Sequence, residues 1–316
     1  MKNKFWIWII NISAIFLLLF AIEIIIWNQE NQTLRKLGNL KITDNNIPFH
    51  AGIIPFKLDL NTFPETKEYE YGRQPDGLEY KNKPIVIFGC SYAYGHFLDK
   101  EQTLSYKMSH QAKVPVYNRA YSGWGIQHML YQVKRELFYE KVPEPQYAIY
   151  VFIPDHINRL YFNFFVLFDT LLEKFNLRYK EKDGKLYEVT HNNKLLNQFQ
   201  RLYLVNKINQ HIIIKTQKTE KHYNFALKHF IESKEEMQKH WKNTKYVVLF
   251  YTTRPNDYIL KNKLKENDFI VLDAEEITNT NLWDDKYMRK DIHPTEDAWN
   301  IIVPKLIENL GIQNEK

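Results

Sequence analysis

The 316-residue sequence holds a single cysteine, Cys90, so no intramolecular disulfide can staple the fold and stability must come from packing. Its 11 histidines include no His-x-His or His-Glu-x-x-His spacing, the pairs that aim two imidazoles at one ion. That excludes a zincin-type centre, and no metal or cofactor is implied. Lys and Arg exceed Asp and Glu by 43 to 37, a net charge of +6, yet the basic residues form no dense block. The excess reads as a solvated Lys-rich surface, with anionic headgroups or acidic polysaccharide as the alternative partner. Zinc-finger, homeodomain and RNA-recognition signatures are missing too, so nucleic acid is not an expected partner. What the chain does have is 44% hydrophobic residues against 25% charged ones. That balance suits one ordinary globular domain with extra pieces and argues against disorder.

Only one apolar run is long. Lys2 and Lys4 precede Phe5 to Trp27, which is broken only by Asn11, Ser13 and Glu23. At about 1.5 Å per residue such a helix crosses a hydrocarbon core of about 30 Å. The run ends in Ala21-Ile-Glu-Ile-Ile-Ile-Trp27, with bulky residues where a signal peptidase needs small ones. Residues 1–27 are therefore expected to form an uncleaved, single-pass signal anchor, with Trp6, Trp8 and Trp27 near the interfaces. Arg35 and Lys36 partly balance Lys2 and Lys4, so the charge bias toward a cytoplasmic N-terminus and an extracytoplasmic domain is slight. Residues 28–80 carry Pro48, Pro55, Pro64 and Pro75 and no sustained period, as a stalk does. Phe49, Phe56, Phe63, Tyr69 and Tyr71 make it too aromatic for a free linker.

From residue 81 to 312 the pattern is that of one α/β domain. Short apolar runs at 85–88, 114–117, 147–153, 246–251 and 269–272 read as strands buried on both faces. Helices are expected at 103–112, at Ile126, Met129, Leu130, Val133 and Leu137, and at 295–310, where Thr295 caps and Pro304 should kink. Alternation of this kind builds a mostly parallel sheet with helices on both faces. An insertion at about 160–243 opens with an aromatic stretch, Tyr161 to Phe175. This stretch suits core packing, an acyl pocket or membrane contact. A hairpin at 177–189 turning at Asp183-Gly184 and helices near 194–208 and 223–241 follow.

In an open parallel sheet, ligands bind beyond the carboxyl ends of the strands. Gly89-Cys90-Ser91, Asn118 to Gly123, and Pro154-Asp155-His156 each follow a strand, and Asp291 and His293 lie between the last strand and last helix. Four loops far apart in sequence thus converge on one rim. A serine hydroxyl needs a histidine to take its proton, and a carboxylate to orient that histidine. Ser91, His293 and Asp291 supply this set.

Three segments carry a resemblance. Phe88-Gly-Cys-Ser-Tyr-Ala-Tyr-Gly95 resembles the first block of the SGNH (GDSL-like) hydrolases. Asn118-Arg-Ala-Tyr-Ser-Gly-Trp-Gly125 resembles the second, and Asp291-Ile-His-Pro294 the last. The resemblance spans about 84–160 and 244–310. It implies a flavodoxin-like three-layer sandwich, a Ser91–His293–Asp291 triad, ester substrates, and an oxyanion hole that includes the N–H groups of Ser91 and Gly123. Trp124, His156 and Arg159 are candidate substrate contacts, although Arg159 equally suits a strand-end cap.

The chain also departs from that family. Cys90 replaces the usual Asp and is itself an alternative nucleophile. Asp291 lies two residues before His293 rather than three, a spacing that resembles membrane-linked O-acetyltransferases. The third block usually offers an Asn to the oxyanion, whereas Ile153-Pro-Asp-His-Ile-Asn-Arg159 places Asp155 there. An ionised carboxylate repels an oxyanion. Either Asp155 is protonated, or His156 or Asn158 donates, or the site is impaired. The expected activity is hydrolysis of acyl or acetyl esters of cell-envelope glycans or lipids. Acetyl transfer to a glycan and a non-catalytic binding or assembly role on the same fold are the alternatives.

Overall fold

The computed structural model describes residues 82–161, 177–188 and 219–312, apart from positions 122, 137, 141 and 178. The expected anchor, the stalk, nearly all of the aromatic stretch and the helix near 194–208 lie outside the described residues. Among those described, no helix is long and apolar enough to cross a membrane.

Five strands form one parallel sheet: β1 (Ile85–Phe88), β2 (Val116–Asn118), β3 (Tyr147–Phe152), β6 (Lys245–Phe250) and β7 (Ile270–Asp273). Their spatial order is β2-β1-β3-β6-β7, with Ile85 opposite both Val116 and Tyr147. Counting only the strands of this sheet, that is the 2-1-3-4-5 order of flavodoxin-like folds, whose switch point lies between β1 and β3. Successive side chains of a strand face opposite ways. Ile85 and Ile87 accordingly enter one core, and Val86 and Phe88 the other. All four are essentially buried, which contributes roughly 1.5–3 kcal/mol per large side chain.

The first core is closed by α2 (Leu104–Ala112) and α8 (Glu296–Leu310), through Leu104, Met108, Trp299, Ile302 and Val303. The second is closed by α3 (Ile126–Lys134), α5 (Glu220–Gln238) and α6 (Tyr258–Glu266), through Leu130, Phe230 and Leu260. Thr295 caps α8 through its hydroxyl, as its sequence position suggested, and Thr103, expected as the first helical residue, caps α2 in the same way. Helix α8 runs through Pro304, and both Pro304 and Asn300, four residues earlier, are solvent-exposed. The carbonyl that the proline cannot serve therefore has water available. Beside the sheet, β4 (Tyr179–Lys182) and β5 (Lys185–Glu188) form the expected hairpin around Asp183-Gly184.

Three helices were not anticipated: α4 (Asp155–Tyr161), α6, and α7 (Ala274–Thr278). The segment after β3 is thus the first turn of α4 rather than a free loop, with consequences for the site.

Candidate active site

Ser91 opens α1 (Ser91–Tyr94), directly after β1 and the sharp turn at Gly89. Gly89 has φ 148°, and a Cβ there would sit 3.0 Å from both the Ala93 Cβ and the Val151 carbonyl oxygen. Only glycine lets α1 start so close to β3. Cys90 turns inward and is wholly buried in the first core with Ile85 and Ile87. Ser91 faces the other way, and its Oγ lies 2.9 Å from Nε2 of His293, 202 residues later in the chain.

His293 stands on a hairpin-like loop. The Ile292 N–H donates to the Arg289 carbonyl at 2.9 Å, the Arg289 N–H donates to the His293 carbonyl at 2.9 Å, and Met288 bridges to Pro294. This closes a three-residue loop whose last residue is left-handed, the geometry of a bulged turn. The loop folds the His293 ring back toward Asp291. Its Nδ1 is 3.1 Å from the Asp291 backbone carbonyl and 3.6 Å from carboxylate Oδ1. The carboxylate is therefore beyond ordinary hydrogen-bond reach of the ring. Oδ1 instead accepts from the His293 backbone N–H at 3.3 Å and lies 3.4 Å from the Arg289 guanidinium. Burial holds the His293 imidazole below the usual histidine range despite the opposing pull of Asp291, with Arg289 adding to the fall. A neutral ring with a proton on Nδ1 presents Nε2 as an acceptor to Ser91.

Neighbours that sequence reasoning did not single out fix this histidine. The Tyr92 hydroxyl donates to the Ile292 carbonyl. The rings of Tyr92, His96 and Phe97 lie 5.7, 5.5 and 5.4 Å from that of His293. The Arg289 guanidinium lies 5.1 Å from the Phe97 centroid and donates to the Phe97 carbonyl at 3.4 Å. Seven described non-glycine residues have positive φ. Lys113, Glu136, Asp183, Asp268 and Asn279 are polar and end helices or turns. Phe97 (65°) and Ile292 (60°) are bulky and apolar, and they flank His293. Each costs on the order of 1–2 kcal/mol, and such strain gathers at functional sites.

The second and third blocks meet beside Ser91. The Asn118 amide donates to the Ala93 carbonyl at 2.9 Å, tying the end of β2 to α1. Gly123 has φ 83° and precedes Trp124. Trp124, His156 and Arg159, the candidate substrate contacts, each also engage other parts of the protein. Trp124 is buried and stacked on His128 at 5.4 Å. His156 is fully buried, its Nδ1 3.0 Å from the Tyr150 hydroxyl. Arg159 donates through Nε to Asp155 Oδ2 at 2.9 Å and through Nη1 to the Trp124 carbonyl at 2.5 Å. The other Asp155 oxygen, Oδ1, accepts from the Asn158 amide at 2.9 Å. Both oxygens of Asp155 thus accept hydrogen bonds from its own helix, and Asn158 spends a donor on one of them. His128 supports the second block from below: its Nδ1 accepts from the Gly125 N–H at 3.0 Å, and burial pushes its pKa down to about 3. Gly125 with a histidine three residues further on was the sequence's only signal of that support. Among the described residues, no cluster of His, Cys, Asp and Glu is arranged to hold a metal ion.

No family model matches the sequence, and no curated protein does. Similar solved structures do exist. A G-D-S-L lipolytic protein of Veillonella parvula is 12% identical at TM-score 0.42, covering 71% of this chain and 96% of that one. An acetyl xylan esterase of Butyrivibrio proteoclasticus is 10% identical at TM-score 0.45, covering 74% and 66%. A lipase from a goat rumen metagenome is 12% identical at TM-score 0.42, covering 74% and 100%.

Proposed function

We propose that this chain is a serine ester hydrolase of the SGNH (GDSL-like) type, acting on acyl or acetyl esters of cell-envelope glycans or lipids. The supporting observation is the 2.9 Å contact between Ser91 Oγ and His293 Nε2 at the carboxyl edge of the parallel sheet. His293 Nε2 accepts the serine proton as Oγ attacks the ester carbonyl. The resulting imidazolium keeps its Nδ1 proton on the Asp291 carbonyl at 3.1 Å, and the Asp291 carboxylate at 3.6 Å stabilises the charge. The developing oxyanion is met by the backbone N–H groups of Ser91 and Gly123. Collapse of that intermediate expels the alcohol, which takes the proton from His293. Water then attacks the acyl-serine with His293 again as base, and the acid leaves.

Asp155 is a positioning group in this scheme. Its carboxylate holds Arg159, and Arg159 holds the carbonyl of Trp124, the residue after Gly123. The run Phe5–Trp27 supports a membrane tether, and the slight charge bias of Lys2 and Lys4 favours a domain outside the cytoplasm. Transfer to a glycan hydroxyl follows the same steps, with that hydroxyl replacing water.

Incubating the full chain in detergent with p-nitrophenyl acetate, with and without an oligosaccharide acceptor, tests the reading. Nitrophenolate release that depends on Ser91 supports hydrolysis, and an acylated acceptor assigns transfer. Neither product would leave only a binding role.

A further inference from the structure

Ile292 occupies the left-handed position of the loop that carries His293, with φ 60°, and is 62% exposed. The loop's hydrogen bonds at this residue use only its backbone: the N–H donates to Arg289, and the carbonyl accepts from Tyr92. Glycine or asparagine adopts this conformation more cheaply than a β-branched residue does. Packing does not account for isoleucine either, since most of its side chain faces solvent. Phe97, the other bulky left-handed residue, differs in this respect. Its ring already meets Arg289, His96 and His293. Of the two strained residues beside His293, only Ile292 offers a largely open apolar surface, one residue from the base that touches Ser91.

We propose that Ile292 is a specificity residue whose side chain packs against the hydrocarbon of the substrate's acyl group, so that the site favours acyl esters with chains longer than acetyl. The inference rests on the serine-hydrolase reading above and narrows its substrate class. A two-carbon acyl group has little surface to lay on Ile292, whereas an alkyl chain removes that surface from water. The unfavourable backbone conformation is then offset in the complex rather than in the free protein.

The test compares kcat/KM for p-nitrophenyl octanoate and p-nitrophenyl acetate, which share a leaving group. The full chain is used as wild type, Ile292→Asn and Ile292→Gly. The octanoate-to-acetate ratio is expected to fall about ten-fold in both variants, the scale of a lost apolar contact, while Tm holds or rises. A ratio unchanged in both variants, with the wild type active, overturns this inference and leaves the hydrolase reading intact. A fall in Tm in both variants makes Ile292 a packing residue and also overturns it. A wild type that hydrolyses neither ester removes the hydrolase reading, and this inference with it.

Discussion

At the scale of single residues, His293 is where burial and charge compete. Burial favours its neutral form, and Arg289 acts in the same direction, while Asp291 favours the charged form. Burial prevails, so the base form persists below the ordinary imidazole value of about 6.5. The acid limb of kcat/KM should therefore have its midpoint below pH 6.5. Asp291→Asn removes the carboxylate's attraction while keeping the backbone-carbonyl hydrogen bond, and should move that midpoint further down. A midpoint near 7, or an upward move in Asp291→Asn, would contradict this balance. Ser91 and His293 were legible in the sequence because each sits where a strand or helix boundary announces itself. Tyr92, Phe97 and Arg289 were not, since their role exists only once segments about 190–200 residues apart touch. The displacement of the Asp291 carboxylate was equally hidden, because two-residue spacing does not reveal which oxygen faces the ring.

At the scale of elements, the central strands were legible from unbroken apolar runs, and the closing helix from its cap at Thr295. The short helices were not. Helix α6 buries only Leu260 and Leu264 among lysines, too narrow a stripe to stand out. Helix α4 was read as a loop, which hid the meaning of Asp155 and Arg159. Four residues apart on a helix they are neighbours, and here they form an ion pair. That pair joins α4 to the carbonyl of Trp124 ahead of α3. Asp155→Asn should thus lower kcat by about ten-fold or more with little change in KM. It should also destabilise the fold by roughly 1–3 kcal/mol, because a buried guanidinium loses its counter-ion. A protonated oxyanion donor at this position would give the opposite result, with full activity at an unchanged Tm.

At the scale of the whole molecule, two buried histidines tie stability to pH. His128 and His229 are held by burial at pKa values of about 3 and about 4. The unfolded chain returns both to about 6.5, so it binds protons first as pH falls. Their contribution, on the order of 3–5 kcal/mol each, is present above pH 6.5 and is lost as pH drops toward 4 and then 3. Urea midpoints should accordingly decline from pH 7 to 4.5, and a flat profile would contradict the burial of these rings. The same whole-molecule folding brings Ser91, after the first strand, to His293, after the last. The most direct test of that pairing is labelling by a fluorophosphonate in wild type, Ser91→Ala, His293→Ala and Cys90→Ala. Labelling of wild type and Cys90→Ala, with loss in Ser91→Ala and strong reduction in His293→Ala, is the predicted result. Labelling that survives without Ser91 and vanishes without Cys90 would contradict it.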